Sequence, residues 1–130
     1  ITVSRAPIRA AMTRTHGWRN LVVRVGGGGA QAFQMMVVNG GAVQAYIPID
    51  PILTAKNTFY TGVGAYKQNS FQAACAGAAG TPDTSGSIPT VNQLQIGSST
   101  AVSGYLNGHM ASLRYWPQRL INAEVQAFSK

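Results

Sequence analysis

Short stretches of alternating residues, separated by turns that contain Gly and Asn, occupy most of this 130-residue chain. The stretches "WRNLVVRV" (18–25) and "AVQAYIPI" (42–49) both alternate, and a period of two is typical of a β-strand with one buried face. Between them, "NGG" (39–41) predicts a tight hairpin turn, because Asn and Gly accept positive φ angles. Several short strands at this spacing predict a single all-β domain, either an antiparallel sandwich or a barrel.

The remaining strands are predicted from the same pattern. We expect them at 32–38, 57–66, 70–76, 92–98 and 109–116, with "KQN" (67–69) as a second hairpin turn. Along 42–49, four apolar side chains are expected to share one face: Val43, Ala45, Ile47 and Ile49. Pro48 should place that strand at a sheet edge or near its own end, because proline donates no hydrogen bond to a neighbouring strand.

One short helix is predicted at the C-terminus. Pro117 is expected to end the last strand, and Asn122 to cap the helix by accepting a backbone N–H bond. Glu124 then lies in the first turn, where the helix dipole favours negative charge. Val125 and Phe128, three residues apart, give the helix an apolar side, which we expect to cover an open end of the β-fold.

The charge composition is unusual for a globular protein. Charged residues make up 10% of the chain and the net charge is +7, whereas charged residues are typically about 25%. A basic chain attracts polyanions such as nucleic acid, anionic glycans or membrane headgroups, but the basic residues can equally be solvated. Five of the seven arginines lie in the first 24 residues, so we treat 1–17 as a basic N-terminal arm or lone strand and 18–130 as the domain.

The acidic residues offer little for catalysis. A glycosidase needs two carboxyl groups about 5–9.5 Å apart, but the only acids are Asp50, Asp83 and Glu124, and no predicted strand carries two. His16 and His109 have no nucleophile motif beside them. We therefore expect no enzyme activity and no catalytic residues.

Other ligand classes are also poorly supported by the sequence. Too few carboxylates are present for calcium, and "GGGGA" lacks the spacing of a phosphate-binding loop, so no metal and no cofactor are predicted. Cys75 is the only cysteine and is expected to be a buried, inert thiol. No nucleic-acid-binding motif appears, and no apolar run is long enough to insert into a membrane.

The chain end resembles a known family. "LNGHMASLRYWPQRLINAEVQAFSK" (106–130) is similar to the C-terminal signature of concanavalin A-like, laminin-G-type lectin domains in bacteriophage and prophage structural proteins, including tail fibres and tailspikes. The segments "AYKQNSFQAACAG" (65–77) and "DTSGSIPTVNQLQIGSS" (83–99) resemble upstream motifs of the same family. The resemblance covers 57–130 well and implies an antiparallel β-sandwich of the jelly-roll type.

The resemblance also implies a function and a location. It suggests a virion domain, on the surface of an extracellular particle, that binds host-surface carbohydrate. The resemblance also implies that the domain is a homotrimer and that it contacts other virion protein subunits. Six residues are the candidate carbohydrate-binding residues: Trp18, Tyr105, Asn107, His109, Arg114 and Trp116. Arg114 and Arg119 are candidates for contacts with anionic sugars. The alternative is a structural role in capsid decoration or fibre capping, in which the C-terminal aromatic residues serve only the fold.

Three features depart from the family pattern or from simple alternation. Gly62 and Gly64 stand where the family usually has aliphatic residues, so a core strand is expected to be bulged or thinly packed. Met110 and Leu113 are three apart, which suggests a β-bulge in the last strand. The family fold is commonly longer at its N-terminus, so we expect 1–17 to be a strand completed by another chain, or an upstream part to be missing.

Overall fold

The computed structural model describes residues 2–4, 20–27, 30–49, 58–91 and 109–130, with side chains in 33–49, 58–91 and 109–130. These residues form β-strands and one short C-terminal helix. The elements are β1 Thr2–Ser4, β2 Asn20–Gly27, β3 Ala30–Asn39, β4 Ala42–Ile49, β5 Phe59–Lys67, β6 Ser70–Cys75, β7 Ala78–Ala79, β8 His109–Ser112 and α1 Asn122–Phe128.

The strands form two antiparallel sheets. One has the order β7-β6-β5-β1-β8 and the other the order β2-β3-β4. The prediction of antiparallel sheets with one short C-terminal helix is therefore confirmed. The predicted strand at 92–98 lies outside the described residues, as do residue 1 and residues 5–17 of the predicted N-terminal arm.

Both predicted hairpin turns are present. Gly40 and Gly41 connect β3 to β4 with φ angles of 62° and 83°, which is the double positive φ that a two-residue hairpin loop requires. Asn69 adopts a φ of 56° in the turn between β5 and β6. Asn tolerates this left-handed conformation better than most residues, so the turn sequences account for both hairpins.

Side chains from both sheets form one buried core. Its members are Phe33, Met35, Val37, Ala45, Ile47, Ile49, Phe71, Ala73 and Cys75. Gly62 of β5 lies directly under the Phe33 ring: a Cβ placed at position 62 would be 2.6 Å from Cζ and 2.7 Å from Cδ2 of Phe33. The strand that was expected to be thinly packed is therefore filled by an aromatic ring from the opposite sheet, whereas Gly64 is exposed.

One face assignment in β4 is wrong. Ala45, Ile47 and Ile49 are buried as expected, but Val43 is 59% exposed. Val37 pairs with Ala45 while the next residue, Val38, pairs with Val43, so the register skips one residue of β4. A bulge of this kind reverses the alternation beyond it. Pro48 agrees with the prediction, since β4 is an edge strand of its sheet.

The helix α1 covers a sheet face and not an open end of the fold. Val125 is fully buried against Val63, Ala65 and Ala74, with Leu120 packed beside them. Val63 and Ala65 alternate along β5 with Gly62 and therefore point away from the core between the sheets. The prediction of an end cap is wrong because the hairpin β5–β6 has small apolar residues on both faces, and its outer face needs a cover.

Hydrogen bonds fix the end of α1 to the turn after β6. The backbone N–H of Gly77 donates to the Ser129 hydroxyl at 3.2 Å and to the Ser129 carbonyl at 3.0 Å. The Gln126 side-chain amide donates to the Gly77 carbonyl at 2.9 Å. Gly77 has a φ of 81°, and Ser129 is fully buried. These bonds therefore hold the C-terminal end of α1 against the turn that follows β6.

The start of α1 differs from the prediction in two respects. The last strand ends at Ser112, four residues before the expected limit at Trp116. Asn122 is the first helical residue and not the cap, because Ile121 occupies the cap position with extended backbone angles. Glu124 lies in the first turn as predicted, and its carboxylate accepts the backbone N–H of Ile121 at 3.0 Å.

The predicted bulge in the last strand is confirmed. Thr2 of β1 pairs with Ser112 while Val3 pairs with Met110, so the register shifts by one residue of β8 between these pairs. Strand β1 lies between β5 and β8 and is antiparallel to both.

Candidate functional site

Three of the six predicted carbohydrate-binding residues fall in the described part of the chain: His109, Arg114 and Trp116. The other three, Trp18, Tyr105 and Asn107, lie outside the described residues. The described part of the candidate site therefore consists of His109 and the segment that joins β8 to α1. His109 is exposed at the start of β8, and Arg114 is exposed two residues after the end of that strand.

Trp116 is held by an aromatic contact with the helix. Its ring lies 5.4 Å from the Phe128 ring, centroid to centroid, with an angle of 26° between the planes. Such pairs contribute about 0.5–1.5 kcal/mol beyond their buried area. Phe128 is itself 47% exposed, and Trp116 is half-buried. The stack fixes the segment against α1 and leaves aromatic surface in contact with water.

Tyr115 is the most exposed large aromatic residue among the described ones, at 77%. Burial raises the pKa of Tyr66, and the nearby Tyr115 phenol raises it further. Tyr66 packs against the core between the sheets. Most of the Tyr115 ring is in solvent.

Arg119 serves the fold, contrary to its expected availability for an anionic sugar. Its guanidinium donates to the Ser70 carbonyl at 3.2 Å, to the Leu120 carbonyl at 2.7 Å and to Asn122 Oδ1 at 2.6 Å. These bonds connect the start of β6 with the start of α1. An arginine fork suits several oxygens at once, but nothing in the local sequence identifies a partner 49 residues away.

Both described carboxylates also serve the fold. Asp83 Oδ1 accepts the backbone N–H of Ser85 at 2.9 Å and its hydroxyl at 3.1 Å. Glu124 accepts the Ile121 N–H at the helix start. Asp50 lies outside the described residues. Among described residues, no group of three or more His, Cys, Asp or Glu side chains could hold a metal ion.

The single thiol is sequestered in the core. Cys75 is 1% exposed, and burial raises the pKa of its thiol to about 12. A thiol with a raised pKa is protonated at neutral pH and a weak nucleophile, and the prediction that Cys75 is buried is confirmed. In the described part of the chain, no helix combines the length and apolar character needed to cross a membrane.

The "DTSGS" loop (83–87) connects the two sheets. Asn69 and Gly86 exchange two hydrogen bonds: the Asn69 N–H donates to the Gly86 carbonyl at 3.0 Å, and the Gly86 N–H to Asn69 Oδ1 at 3.1 Å. On the other side, the Ser87 N–H and hydroxyl donate to Gln44 Oε1 at 3.1 and 3.0 Å. Asn39 donates to the Ser87 hydroxyl at 2.9 Å. The loop's polar residues are thus used in joining the hairpins β3–β4 and β5–β6.

The geometry thus divides the C-terminal segment into two groups. Arg119, Glu124 and Ser129 hold α1 in place through their hydrogen bonds. Arg114 and Tyr115 are exposed, and Trp116 joins the two groups through its stack on Phe128. The sequence suggested both Arg114 and Arg119 for contacts with anionic sugars. Nothing in the residues around them indicates that Arg119 is bonded within the fold and that Arg114 is exposed.

Comparison of the chain with protein-family models, with curated protein sequences and with solved structures gives no match.

Proposed function

We propose that this chain is a non-enzymatic bacteriophage virion domain that binds host-surface carbohydrate, built as a concanavalin A-like jelly-roll sandwich and assembled as a homotrimer on the particle surface. The motif resemblance at 57–130 supports the family and location. The observation that carries the binding function is the segment Arg114–Trp116, in which exposed cationic and aromatic side chains are held on the fold by the Trp116–Phe128 stack.

The chemistry of this segment suits a sugar. An aromatic ring offers an apolar face to the C–H groups of a pyranose, and it is rigid, so little conformational entropy is lost on binding. Phe128 covers one face of the Trp116 indole, so a sugar would approach the other face or the ring edge. Arg114 adds a planar set of donors that pairs well with the carboxylate of an acidic sugar.

The lack of enzyme activity is supported by how the acids are used. Retaining and inverting glycosidases both need two free carboxyl groups across one bond. Among the described residues, Asp83 is bound within its own loop and Glu124 caps α1. Catalysis by either acid would compete with hydrogen bonds that the fold uses.

A structural role in the virion is the second candidate, and one observation favours it. The face of the three-stranded sheet that points away from the core exposes Val43 at 59% and Tyr46 at 47%. Exposed apolar side chains on a sheet face are available to pack against another protein. In this alternative the domain decorates a capsid or caps a fibre, and Val43 and Tyr46 contact another virion subunit.

The test is binding of purified host-envelope polysaccharide by calorimetry at low and at high salt. We expect binding that survives high salt, because stacking is not screened, whereas attraction due to the net charge of +7 is. Trp116→Ala should weaken binding about tenfold or more, equivalent to about 1.4 kcal/mol. Arg114→Gln should weaken binding of acidic polysaccharides and leave neutral ones unchanged.

Tyr46→Ala is the matched control, because it removes an exposed aromatic side chain from the other sheet. Circular dichroism must show that each variant is folded, since Trp116→Ala also removes the stack on Phe128. A folded Trp116→Ala protein with wild-type affinity would contradict the proposed site. If the wild-type protein binds polysaccharide at neither salt concentration, the structural role is favoured.

A further inference from the structure

The first strand of the chain fills an interior position of the larger sheet. β1 (Thr2–Ser4) lies between β5 and β8, with Thr2 opposite Thr61 and Ser4 opposite Phe59. Both neighbouring strands come much later in the chain, since β5 begins at Phe59 and β8 at His109. The sheet is therefore completed by β1, a strand that is far from both of its neighbours in the sequence.

Few backbone groups hold β1 in this position. The three described residues of β1 supply three N–H and three C=O groups to the two neighbouring strands. The register with β8 is also irregular between Thr2 and Val3. A three-residue strand with few backbone bonds opens at a lower free-energy cost than the whole fold. When it opens, β5 and β8 each present an unpaired edge that favours pairing with an identical strand.

The connection to the rest of the chain is long. Residues 5–19 separate β1 from β2, which is 15 residues. At about 3.3–3.6 Å per residue the connection can span up to about 50 Å. A compact domain of this length has a radius of gyration of about 14 Å. The connection is therefore long enough for β1 to reach the same position in a neighbouring molecule.

We propose that copies of this chain associate by exchanging β1, so that Thr2–Ser4 of one copy occupies the position between β5 and β8 of a second copy. The exchange replaces every strand pairing with an identical one, so the backbone hydrogen bonds of β1 are the same in both forms. The balance between closed and exchanged forms then depends on protein concentration. High local concentration, as in a multi-subunit particle, favours the exchanged form.

Cysteine cross-linking between two different variants tests the exchange. The Cα atoms of directly opposed residues in antiparallel strands are about 4.5–5.5 Å apart, which a disulfide can bridge. Thr2→Cys and Thr61→Cys proteins are concentrated together and then oxidised, and disulfide-linked heterodimer is measured on a non-reducing gel. Cys75 does not compete, because it is buried.

We expect the ratio of linked dimer to monomer to rise about tenfold for a tenfold increase in concentration while dimer is the minor species. The matched control mixes Thr2→Cys with Thr84→Cys. Thr84 is exposed in the 83–87 loop and does not pair with β1. A Thr2–Thr61 yield no greater than that of the control would overturn the proposal.

The double variant Thr2→Cys/Thr61→Cys provides the second measurement. Oxidised in dilute solution, it should form an internal disulfide, and sedimentation should then show only monomer at concentrations where its reduced form associates. If the oxidised protein associates as strongly as the reduced one, β1 exchange does not join the copies. If no internal disulfide forms, the pairing of β1 with β5 is itself wrong.

Discussion

Replacing Gly62 with alanine should destabilise the protein, although alanine is normally preferred to glycine in a strand. A Cβ at position 62 would lie 2.6–2.7 Å from two carbons of the Phe33 ring, whereas carbon atoms in contact are usually about 3.5–4.0 Å apart. Phe33 is 1% exposed, so the ring has no open space to enter. Either β5 or the ring must move by about 1 Å.

The size of the effect follows from two opposing contributions. Forcing an extra carbon into a filled core costs about 1–3 kcal/mol. Removing the backbone freedom of glycine stabilises a strand by about 0.5–1 kcal/mol. Gly62 does not have a positive φ, so no backbone strain is added. We expect a net loss of about 1–2 kcal/mol, or a decrease of about 4–8 °C in Tm.

Thermal and urea unfolding followed by circular dichroism would measure this change. Gly64→Ala is the matched control, because Gly64 is on the same strand but exposed, and its stability should be unchanged or slightly increased. In a Phe33→Leu background, the Gly62→Ala cost should shrink by about 1 kcal/mol, since the two changes act on one contact. Equal costs in the two backgrounds would refute the role assigned to the Phe33 ring.

Three further changes test other parts of the fold. Arg119→Lys should lower the free energy of unfolding in urea by about 1–2 kcal/mol, because one ammonium group cannot replace a fork bonded to three oxygens; unchanged stability would mean that these bonds contribute nothing. Gly86→Ala should cost about 1–3 kcal/mol, because Gly86 has a φ of 129° and a Cβ there would lie 2.6 Å from the Gln44 carbonyl oxygen; a stable variant would show that the loop moves freely. Burial raises the pKa of Cys75 from 9.0 to about 12, so the unfolded chain loses its thiol proton first. Stability should therefore fall between pH 9 and 12 more steeply in the wild type than in Cys75→Ala, and parallel pH curves would disprove this.

Elements that depend on neighbouring residues were predictable from the sequence. The turn at Gly40–Gly41 follows from residues that accept positive φ, and the alternation on either side of it gives strands β2, β3 and β4 within two residues of the expected limits. The position of the C-terminal helix was also predictable, because its acidic first turn and apolar side are local features. In each case the physical cause lies within a few residues of its effect.

Features that depend on distant partners were not predictable. The bulge that exposes Val43 appears only in the register between β3 and β4, and alternation by itself gave the wrong face. Gly62 was expected to leave its strand thinly packed, but the Phe33 ring fills the space above it. That ring belongs to the other sheet, so the residues around Gly62 do not reveal it. Asn122 has the chemistry of a helix cap, but here its Oδ1 accepts a hydrogen bond from Arg119. Ile121 is the cap residue, and the helix begins at Asn122 itself.

In the C-terminal segment, contacts with distant residues decide which side chains are accessible to a ligand. Sequence reasoning offered both Arg114 and Arg119 for contacts with anionic sugars, yet Arg119 is fixed by three hydrogen bonds within the fold. A side chain used in this way cannot contact a ligand without losing those bonds, whereas an exposed one such as Arg114 can do so at little cost. Burial likewise separates Val125, which α1 packs against β5 and β6, from Trp116, which is only half-buried. Within the described part of the motif (109–130), the stretch from Arg114 to Trp116 is therefore accessible to a partner, whereas Arg119, Glu124 and Val125 hold α1 over the outer face of β5 and β6.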